Sequence, residues 1–207
     1  MQGELASLAL PDLRGKSVLD LGAHNGFYSF AAERLGASPV VALDYFAWIH
    51  ESADARDGSP PLGRAGFDVA HRILRSKVEP VVGDFMTIDL AALGCFDVVL
   101  FLGVLYHMPD PLGGMRRLAA VTSEVAVIES HAIAVARAND YALLEFLPGA
   151  ELNDDPSNWF VPNDAGLRAL CSAAGFSRTE TMVGPPDPPP AAAEDRTYYR
   201  AVVHAHR

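Results

Sequence analysis

The chain has 207 residues, of which 50% are hydrophobic and 20% are charged, so it can bury a core within one domain. Acidic residues outnumber basic residues by 26 to 16, and the formal net charge is -10. This charge argues against a nucleic-acid partner, because phosphate backbones select basic surfaces. No apolar run approaches the roughly 20 residues of a membrane span, and the first residues lack the pattern of a signal peptide. We therefore expect a soluble, cytoplasmic protein, and the sequence does not indicate its oligomeric state.

The cysteines and histidines give no metal-site pattern. Cys95 and Cys171 are too few for a disulfide framework or a cysteine cluster, and we expect both to be small buried hydrophobic residues. The three histidines near the candidate site, His24, His107 and His131, follow no known ligand spacing. The sequence therefore predicts no metal.

In the first half of the chain, apolar strands alternate with helices. We predict strands over 16–21, 39–44, 77–84, 96–103 and 124–130. The predicted helices lie between them, over 26–35, 67–75 and 111–121. Continuous apolar strands separated by helices are typical of a parallel sheet that is covered on both faces. The predicted fold class is therefore α/β, a Rossmann-like parallel sheet with helices on both faces.

The second half of the chain has a less regular pattern. We predict a short helix over 141–147, and then a long polar loop over 151–164 of the kind that often forms a lid or a binding segment. An amphipathic helix follows over 164–176, with Asn163 as its N-cap and Gly175 as its C-cap.

The C-terminal residues predict a pair of strands. These strands lie near 176–183 and over 197–206, and the proline-rich linker 184–195 joins them without a helical pattern. We therefore expect a C-terminal antiparallel hairpin whose final strand forms the edge of the sheet. No second-domain boundary is visible, so we expect residues 1–207 to form a single domain.

A glycine-containing turn joins the first strand to the first helix, in the run Asp20-Leu21-Gly22-Ala23-His24-Asn25-Gly26. Open parallel sheets bind ligands outside the carboxyl ends of their strands. Gly22 permits a tight turn, and Gly26 permits the backbone to approach a ligand. The spacing is not GxGxxG, and no Lys-Ser/Thr pair follows. A dinucleotide fold or a phosphate-binding loop is therefore disfavoured.

Acidic residues end the first three predicted strands. Asp44 lies at the end of the second strand, where a carboxylate can accept both hydroxyls of a ribose. Asp84 lies at the end of the third strand, where it can accept from an adenine amino group while Phe85 covers the ring. A helix cap or a turn explains a single aspartate equally well. With Asp20, however, three acids at three consecutive strand ends favour a nucleoside-containing ligand.

These residues carry a resemblance to a known family. VLDLGAHNGFYSF resembles the glycine loop of class I S-adenosylmethionine-dependent methyltransferases, although His24-Asn25 replaces the commoner Gly-Ser or Gly-Thr. The resemblance extends over nearly the full chain and implies S-adenosylmethionine as the cofactor. It implies that Gly22 and Gly26 face the methionine part, and that Asp20 supports the loop or the cofactor ammonium. The remaining expected cofactor positions are Ala23, His24, Asp44, Asp84, Phe85 and Leu102.

A narrower resemblance rests on FLGVLYHMPDPL at 101–112, together with FDVAHRILRSKV and SNWFVPNDAGLRALCSAAGF. These runs are similar to the subgroup of tRNA wobble-uridine methyltransferases, one of which transfers a carboxymethyl group from carboxy-S-adenosylmethionine. Tyr106 and His107 match the subgroup motif, and Arg200 could match an arginine that holds the extra carboxylate. That enzyme also has an N-terminal extension that supplies a lysine to the carboxylate, whereas this chain starts almost at its first strand. We therefore expect ordinary S-adenosylmethionine, with Arg200 as an acceptor contact or an exposed strand residue.

The Leu-Tyr-His run supplies the candidate catalytic residues. Methyl transfer is an in-line displacement, so positioning of the nucleophile contributes much of the rate. A nearby imidazole can also remove a proton from a hydroxyl or an amine. His107 is therefore the candidate general base, with Tyr106 beside it. The alternatives are that His107 caps the turn before Pro109 and that Tyr106 only packs.

Candidate acceptor contacts lie in three segments. His131, with Glu129, lies at the end of the fifth strand, Asn158 and Trp159 lie in the long loop, and Arg200 lies on the last strand. The loop pair suits a flat or hydrophobic acceptor. Alternatively, Glu129 and His131 form a satisfied strand-end pair, and Trp159 attaches the loop to the core.

The sequence therefore favours a methyltransferase that acts on a small molecule, for example in secondary metabolism. A tRNA-modifying alkyltransferase and a non-catalytic cofactor-binding module stay open as alternatives. A nicotinamide oxidoreductase is disfavoured by the glycine spacing. The sequence names neither the acceptor nor the atom that receives the group.

Overall fold

The computed structural model describes residues 2–49, 63–136, 141–188 and 196–207. The strands are β1 Val18–Leu21, β2 Val40–Asp44, β3 Glu79–Val82, β4 Phe96–Leu102, β5 Thr122–Val135, β6 Leu144–Phe146, β7 Phe160–Pro162, β8 Arg178–Val183 and β9 Arg196–His206. The helices are α1 Gln2–Ser7, α2 Phe27–Arg34, α3 Phe46–Ile49, α4 Ala65–Leu74, α5 Pro111–Val121 and α6 Asp164–Ala174, with short 3₁₀ helices η1 Leu90–Leu93 and η2 Leu105–His107.

Seven strands form one sheet in the order β3-β2-β1-β4-β5-β9-β8. β1 to β5 are parallel, and Asp20 of β1 pairs with Ala42 of β2 and with Leu100 of β4. β9 runs antiparallel to both β5 and β8. The predicted Rossmann-like fold and its C-terminal antiparallel hairpin are therefore confirmed. The strand order reverses between β1 and β4, and an open sheet of this kind binds ligands at that point.

Alternate residues of the central strands pack into two separate cores. Leu19 and Phe101 belong to the core that includes Met115 of α5 and Leu167 of α6. On the other face, Val18 and Leu100 join the core that contains Phe30 of α2 and Phe67 of α4. Helices therefore cover both faces of the sheet, which explains why its strands read as continuous apolar runs.

The position of the last strand differs from the prediction. β9 lies between β5 and β8, so β8 is the edge strand and β9 is interior. β9 pairs with β5 from Val125–His206 to Val135–Arg196, and residues 201–205 of β9 are all buried. All six residues of β8 are exposed or half-buried. Because residues 201–205 are buried, their backbone groups need hydrogen-bonded strands on both sides. An edge strand has a neighbouring strand on one side only.

The helix predicted over 141–147 is wrong, because the structure has a strand there. β6 pairs antiparallel with β7, and Phe146 lies directly opposite Phe160 with ring centroids 5.4 Å apart. The segment is too short for a stable isolated helix. A strand pair with an aromatic cross-strand contact satisfies its backbone and its apolar side chains together.

Several smaller predictions have clear outcomes. Asn163 caps α6 by accepting from the Gly166 N–H at 2.7 Å, and Gly175 ends α6 with a φ of 104°, both as predicted. Cys171 is buried, but Cys95 is exposed, contrary to the prediction for it, since it follows the turn at Gly94 rather than lying within β4.

Residues 189–195 of the proline-rich linker lie outside the described residues. Within the described ranges, no helix has the length and apolar character to cross a membrane.

Candidate functional site

Two glycine turns meet at the point where the strand order reverses. Gly22 follows β1 with a φ of 79°, and Gly103 follows β4 with a φ of 73°. A Cβ on Gly22 would lie 2.5 Å from the Val104 Cγ2, so a side chain at Gly22 would collide with the turn after β4. Glycine is therefore required for the close approach of these turns, at the edge where the fold binds ligands.

The rest of the glycine loop is equally constrained. Gly26 has a φ of 80°, and a Cβ there would come within 2.6 Å of the rings of Phe30 and Phe67. His24 also adopts a left-handed conformation, with a φ of 48°. Ala23 is buried, whereas Gly22 and His24 are exposed. The loop therefore presents backbone at positions 22 and 24 and packs its intervening side chain inside.

Asp20 lies beneath this loop and is 2% exposed. The Ser29 hydroxyl donates to its carboxylate at 2.5 Å, which connects β1 to α2. Burial raises the pKa of Asp20 to about 6, although the Ser29 hydrogen bond acts in the opposite direction. The geometry fits a residue that supports the loop.

Asp44 fixes the loop to the end of β2. Its Oδ2 accepts from the His24 N–H at 2.8 Å, and its Oδ1 accepts from the Ala47 N–H at 2.9 Å. The Trp48 indole donates to the His24 carbonyl at 2.6 Å, which attaches the same loop to α3. Because each carboxylate oxygen can accept more than one hydrogen bond, Asp44 retains acceptor capacity for a ligand hydroxyl.

Asp84 and Phe85 follow β3. Asp84 forms a tight turn by accepting from the Met86 N–H at 2.8 Å, and it remains partly exposed. The Phe85 ring lies 5.4 Å from the ring of Phe101, and the Arg117 guanidinium is 5.9 Å from its centroid. Phe85 therefore belongs largely to the core. Leu102, the last residue of β4, is partly buried.

The structure brings four predicted residues together beyond the end of β4. The Tyr106 ring centroid lies 4.4 Å from that of His107 and 4.8 Å from that of His131. Arg200 donates from Nη1 to the Tyr106 hydroxyl at 3.2 Å, and its guanidinium lies 5.3 Å from the Tyr106 centroid. The β5–β9 register places Arg200 directly opposite His131. Tyr106 is therefore the centre of this cluster.

Glu129 joins the same cluster through an ion pair that was not predicted from the sequence. The Nε and Nη2 atoms of Arg200 donate to the two carboxylate oxygens of Glu129, in a bidentate arrangement. Burial tends to lower the pKa of Arg200, but the contacts with Glu129 and Tyr106 outweigh it and raise that pKa. The guanidinium fork of Arg200 is therefore already paired with a carboxylate of the protein itself.

His107 makes its contacts with the long loop. Its Nδ1 lies 3.2 Å from the Ser157 carbonyl oxygen and 2.9 Å from the Ser157 Oγ. The Ser157 hydroxyl donates to Asp155 at 2.7 Å. Neither Ser157 nor Asp155 was predicted as a site residue, because only the polar composition of the loop pointed to them. His107 therefore contacts the segment that was predicted to form a lid.

Both histidines of the cluster favour their neutral forms. Burial lowers the pKa of His107, even though the Ser157 carbonyl and the Asp155 charge act to raise it. Burial, with Arg200 and His107 as further causes, lowers the pKa of His131 to about 4. Each imidazole therefore has an unprotonated ring nitrogen at neutral pH, as a general base requires.

The other loop candidates have different surroundings. Asn158 is 2% exposed, and its Nδ2 donates to the carbonyls of Leu152 at 2.8 Å and Asp155 at 3.1 Å. The backbone N–H of Trp159 donates to the Tyr106 carbonyl at 2.8 Å, and Trp159 is 39% exposed. The Asn158 amide therefore stabilises the loop itself, and the exposed Trp159 lies beside the cluster.

A cavity of about 320 Å³ opens beside the cluster, lined by His131, Glu151, Leu152, Asn153, Tyr198, Tyr199 and Arg200. Its volume is at the lower end of the range for small-molecule sites. The His131 Nδ1 and the Tyr199 hydroxyl are buried without a partner among the described residues. Over the same part of the chain, no group of three or more His, Cys, Asp or Glu is placed to hold a metal ion.

Comparison with known families decides the class of this protein. A model of the methyltransferase domain family matches residues 1–181. The chain belongs to the methyltransferase domain family. The predicted class, S-adenosylmethionine-dependent methyltransferases, is thereby confirmed, and S-adenosylmethionine is the cofactor of that class.

Relatives of known function share only part of their length with this chain. It is 25% identical over 179 residues to the tRNA U34 carboxymethyltransferase of Campylobacter lari, a match that covers 84% of this chain and 53% of the relative. The corresponding enzyme of Pseudomonas aeruginosa is 28% identical over 175 residues, covering 80% of this chain and 46% of the relative. The chain therefore spans about half the length of these relatives.

Solved structures show the same fold. The N-terminal domain of EvdMO1, determined in the presence of SAH and D-fucose, matches with a TM-score of 0.66 and 21% identity, over 99% of this chain and 80% of that chain. The 1,6-didemethyltoxoflavin-N1-methyltransferase of Burkholderia thailandensis, with 1,6-didemethyltoxoflavin and S-adenosylhomocysteine bound, matches with a TM-score of 0.56 and 18% identity, over 94% of this chain and 72% of that chain. Identities of this size support the fold alone.

Proposed function

We propose that this protein transfers a methyl group from S-adenosylmethionine to a hydroxyl or amine of a small molecule. The observation that carries the proposal is the cavity of about 320 Å³ that includes His131 and Arg200 in its lining. Both residues contact Tyr106, which lies three residues after Gly103 at the end of β4. The cavity is therefore next to the edge of the sheet at which this fold binds its ligand.

The residues at the ends of β1 to β3 fit the cofactor. Gly22 leaves its backbone exposed in a turn where a side chain would collide with Val104, Asp44 has acceptor capacity for the ribose hydroxyls, and partly exposed Asp84 can accept from the adenine amino group. When bound, S-adenosylmethionine supplies a methyl carbon that bonds to the acceptor atom while the carbon–sulfur electron pair stays on sulfur. Buried Asp20 then acts through the loop that it supports.

His107 is the residue that takes the acceptor proton in this proposal. Its pKa is lowered by burial, so the imidazole is neutral at physiological pH and can accept a proton. A positioned general base contributes about 10²–10⁴-fold to such a reaction. Tyr106 packs against His107 and holds Arg200 at the wall of the cavity.

Residues 1–207 are proposed to form one methyltransferase domain. The family match ends at residue 181, but β9 pairs with β5 over Arg196–His206 in the same sheet. Arg200, a wall residue of the cavity, lies on this strand. The C-terminal strand therefore contributes to the site as well as to the fold.

A tRNA-modifying carboxymethyltransferase is the second candidate function, since the curated relatives are tRNA U34 carboxymethyltransferases. The Arg200–Tyr106 contact is the feature of this chain that favours it. Two observations act against it. The net charge of -10 opposes tRNA binding, and Glu129 occupies the guanidinium fork that an extra carboxylate would need.

Two binding titrations test the proposal. Calorimetry should show binding of S-adenosylhomocysteine, whereas bulk tRNA at physiological salt should bind weakly. A tight tRNA complex with a steep salt dependence would support the second candidate instead. Incubation with methyl-labelled S-adenosylmethionine and a nucleic-acid-free metabolite extract should place the label in small molecules, and binding without any turnover would indicate a non-catalytic module.

A further inference from the structure

A hydrogen-bonded chain of three side chains links the long loop to His107. Asp155 accepts from both the Ser157 N–H at 2.8 Å and the Ser157 hydroxyl at 2.7 Å. The same hydroxyl oxygen lies 2.9 Å from the His107 Nδ1, and the Ser157 carbonyl oxygen lies 3.2 Å from that nitrogen. The three side chains therefore form a carboxylate–hydroxyl–imidazole sequence across fifty residues of chain.

These partners determine which ring nitrogen of His107 carries the proton. A carbonyl oxygen can only accept, so the Ser157 carbonyl requires an N–H at Nδ1. The Ser157 hydroxyl gives its proton to Asp155, which is acceptor-only when ionised, and it therefore also presents a lone pair to Nδ1. In the neutral imidazole, the unprotonated nitrogen is then Nε2.

We propose that Asp155 and Ser157 are positioning residues, which hold His107 in the Nδ1–H tautomer and keep the Nε2 lone pair for the proton of the acceptor. This inference rests on the proposed function, in which His107 is the general base. As the acceptor atom bonds to the methyl carbon, its proton moves to Nε2. The imidazolium that forms keeps its Nδ1–H bond to Ser157, and the Asp155 charge stabilises it through the hydroxyl.

The charges around His107 give Asp155 a specific task. From β9, the positive charge of Arg200 disfavours protonation of His107, and Glu129 of β5 pairs with that charge. His131 of β5 is neutral because its pKa is about 4, and Tyr106 packs beside His107 on η2. Among these groups, Asp155 is the anion that acts on His107 through the hydroxyl of Ser157, so it offsets part of the cost of charging a partly buried imidazole.

The tautomer can be measured in the full-length protein without an acceptor. Nitrogen-15 NMR of the histidine side chains distinguishes a protonated ring nitrogen from an unprotonated one, and a His107→Gln variant assigns the signal. We expect Nδ1 to be protonated and Nε2 to be unprotonated at pH 8. A dominant Nε2–H form would overturn the proposal.

Substitutions then separate positioning from folding. Asp155→Asn removes the charge while keeping the shape, and should lower the pKa of His107. Asp154→Asn is the matched control, because Asp154 is exposed and next in the chain, and it should shift that pKa less. Equal pKa shifts in the two variants would contradict the role of Asp155.

The hydroxyl is tested by a pair of variants at Ser157. Ser157→Ala should raise the population of the Nε2–H tautomer. Ser157→Thr, which keeps a hydroxyl, should give the same signal as the wild-type protein. Spectra that do not change in either variant would contradict the role of the hydroxyl. Calorimetry with S-adenosylhomocysteine on the same samples separates the two claims. If the wild-type protein does not bind S-adenosylhomocysteine, the proposed function is contradicted. If it binds but His107 is in the Nε2–H form, this inference alone is contradicted.

Discussion

The two halves of the site are held together in different ways. Around the predicted cofactor positions, each carboxylate is bound by groups close to it in the sequence: Asp84 by the amide two residues on, Asp20 by a hydroxyl nine residues on, and Asp44 by amides 3 and 20 residues away. In the acceptor cluster, the Arg200 contacts with Glu129 and Tyr106 span 71 and 94 residues, and the His107 contact with Ser157 spans 50.

This difference assigns different tasks to the two halves. Contacts within turns and between neighbouring strands hold the cofactor half in place. The acceptor cluster depends on the pairing of β9 with β5 and on the packing of the long loop against η2. Substitutions in the first half should therefore change stability and cofactor affinity, while those in the second half should change proton handling and selectivity.

The largest expected effect tests how rigid the cofactor half is. Gly26→Ala should lower the free energy of unfolding by about 2–5 kcal/mol, because it adds left-handed strain and crowds the Phe30 and Phe67 rings. Gly15→Ala is the control: its φ of 71° is similar, but nothing lies within 4 Å of the added Cβ. It should lose only the strain, about 1–2 kcal/mol. If denaturant unfolding shows equal losses of unfolding free energy in Gly26→Ala and Gly15→Ala, the loop is not tightly packed.

The next effect concerns the pH dependence of stability. The pKa of Asp20 is about 6 in the folded protein against an ordinary value of 3.8, so folding favours the protonated carboxyl. Its contribution to stability is full below about pH 4 and is lost as the pH rises to about 6, by up to about 3 kcal/mol. Asp20→Asn should remove this dependence, whereas Asp68→Asn at an exposed site should not. Unfolding curves between pH 4 and 8 that coincide for all three proteins would contradict the account.

A smaller effect tests whether Asp44 binds cofactor as well as the loop. Asp44→Ala should weaken binding of S-adenosylhomocysteine by about 1–3 kcal/mol, the cost of losing hydrogen bonds to a charged group. Asp89→Ala removes a comparable cap, since Asp89 accepts from the Ala91 N–H at 3.1 Å at the start of η1, but it should leave affinity intact. Unchanged affinity in Asp44→Ala, measured by calorimetry, would restrict Asp44 to a structural role.

The same contrast explains which features the sequence could predict. The strands, the glycine turn and the caps Asn163 and Gly175 depend on neighbouring residues, so their patterns are readable in one stretch of chain. Tyr106, His107 and Arg200 were selected through a resemblance, and the structure brings them together. Their positions in the sequence do not show that contact by themselves.

What the sequence did not reveal depends on distant pairing. The Glu129–Arg200 ion pair follows from the antiparallel register of β5 and β9, and the polar loop does not show that Ser157 and Asp155 meet His107. The strand at 144–146 was missed because its partner, Phe160, lies in a segment that was predicted to be a loop. The edge position was predicted for β9 because sequence order alone does not show that the last strand inserts between β5 and β8.

The central claim, that the protein uses S-adenosylmethionine rather than its carboxylated form, is tested most directly by competition calorimetry between the two cofactors. Because Glu129 already pairs with Arg200, we expect the wild-type protein to prefer S-adenosylmethionine. Arg200→Ala should weaken binding of S-adenosylmethionine less than it weakens binding of the carboxylated form, because only the carboxylated form has a carboxylate for the guanidinium to bind. Glu129→Gln should free the guanidinium and improve binding of the carboxylated form relative to wild type. A clear wild-type preference for carboxy-S-adenosylmethionine that is lost in Arg200→Ala would contradict the claim and make the protein a carboxymethyltransferase.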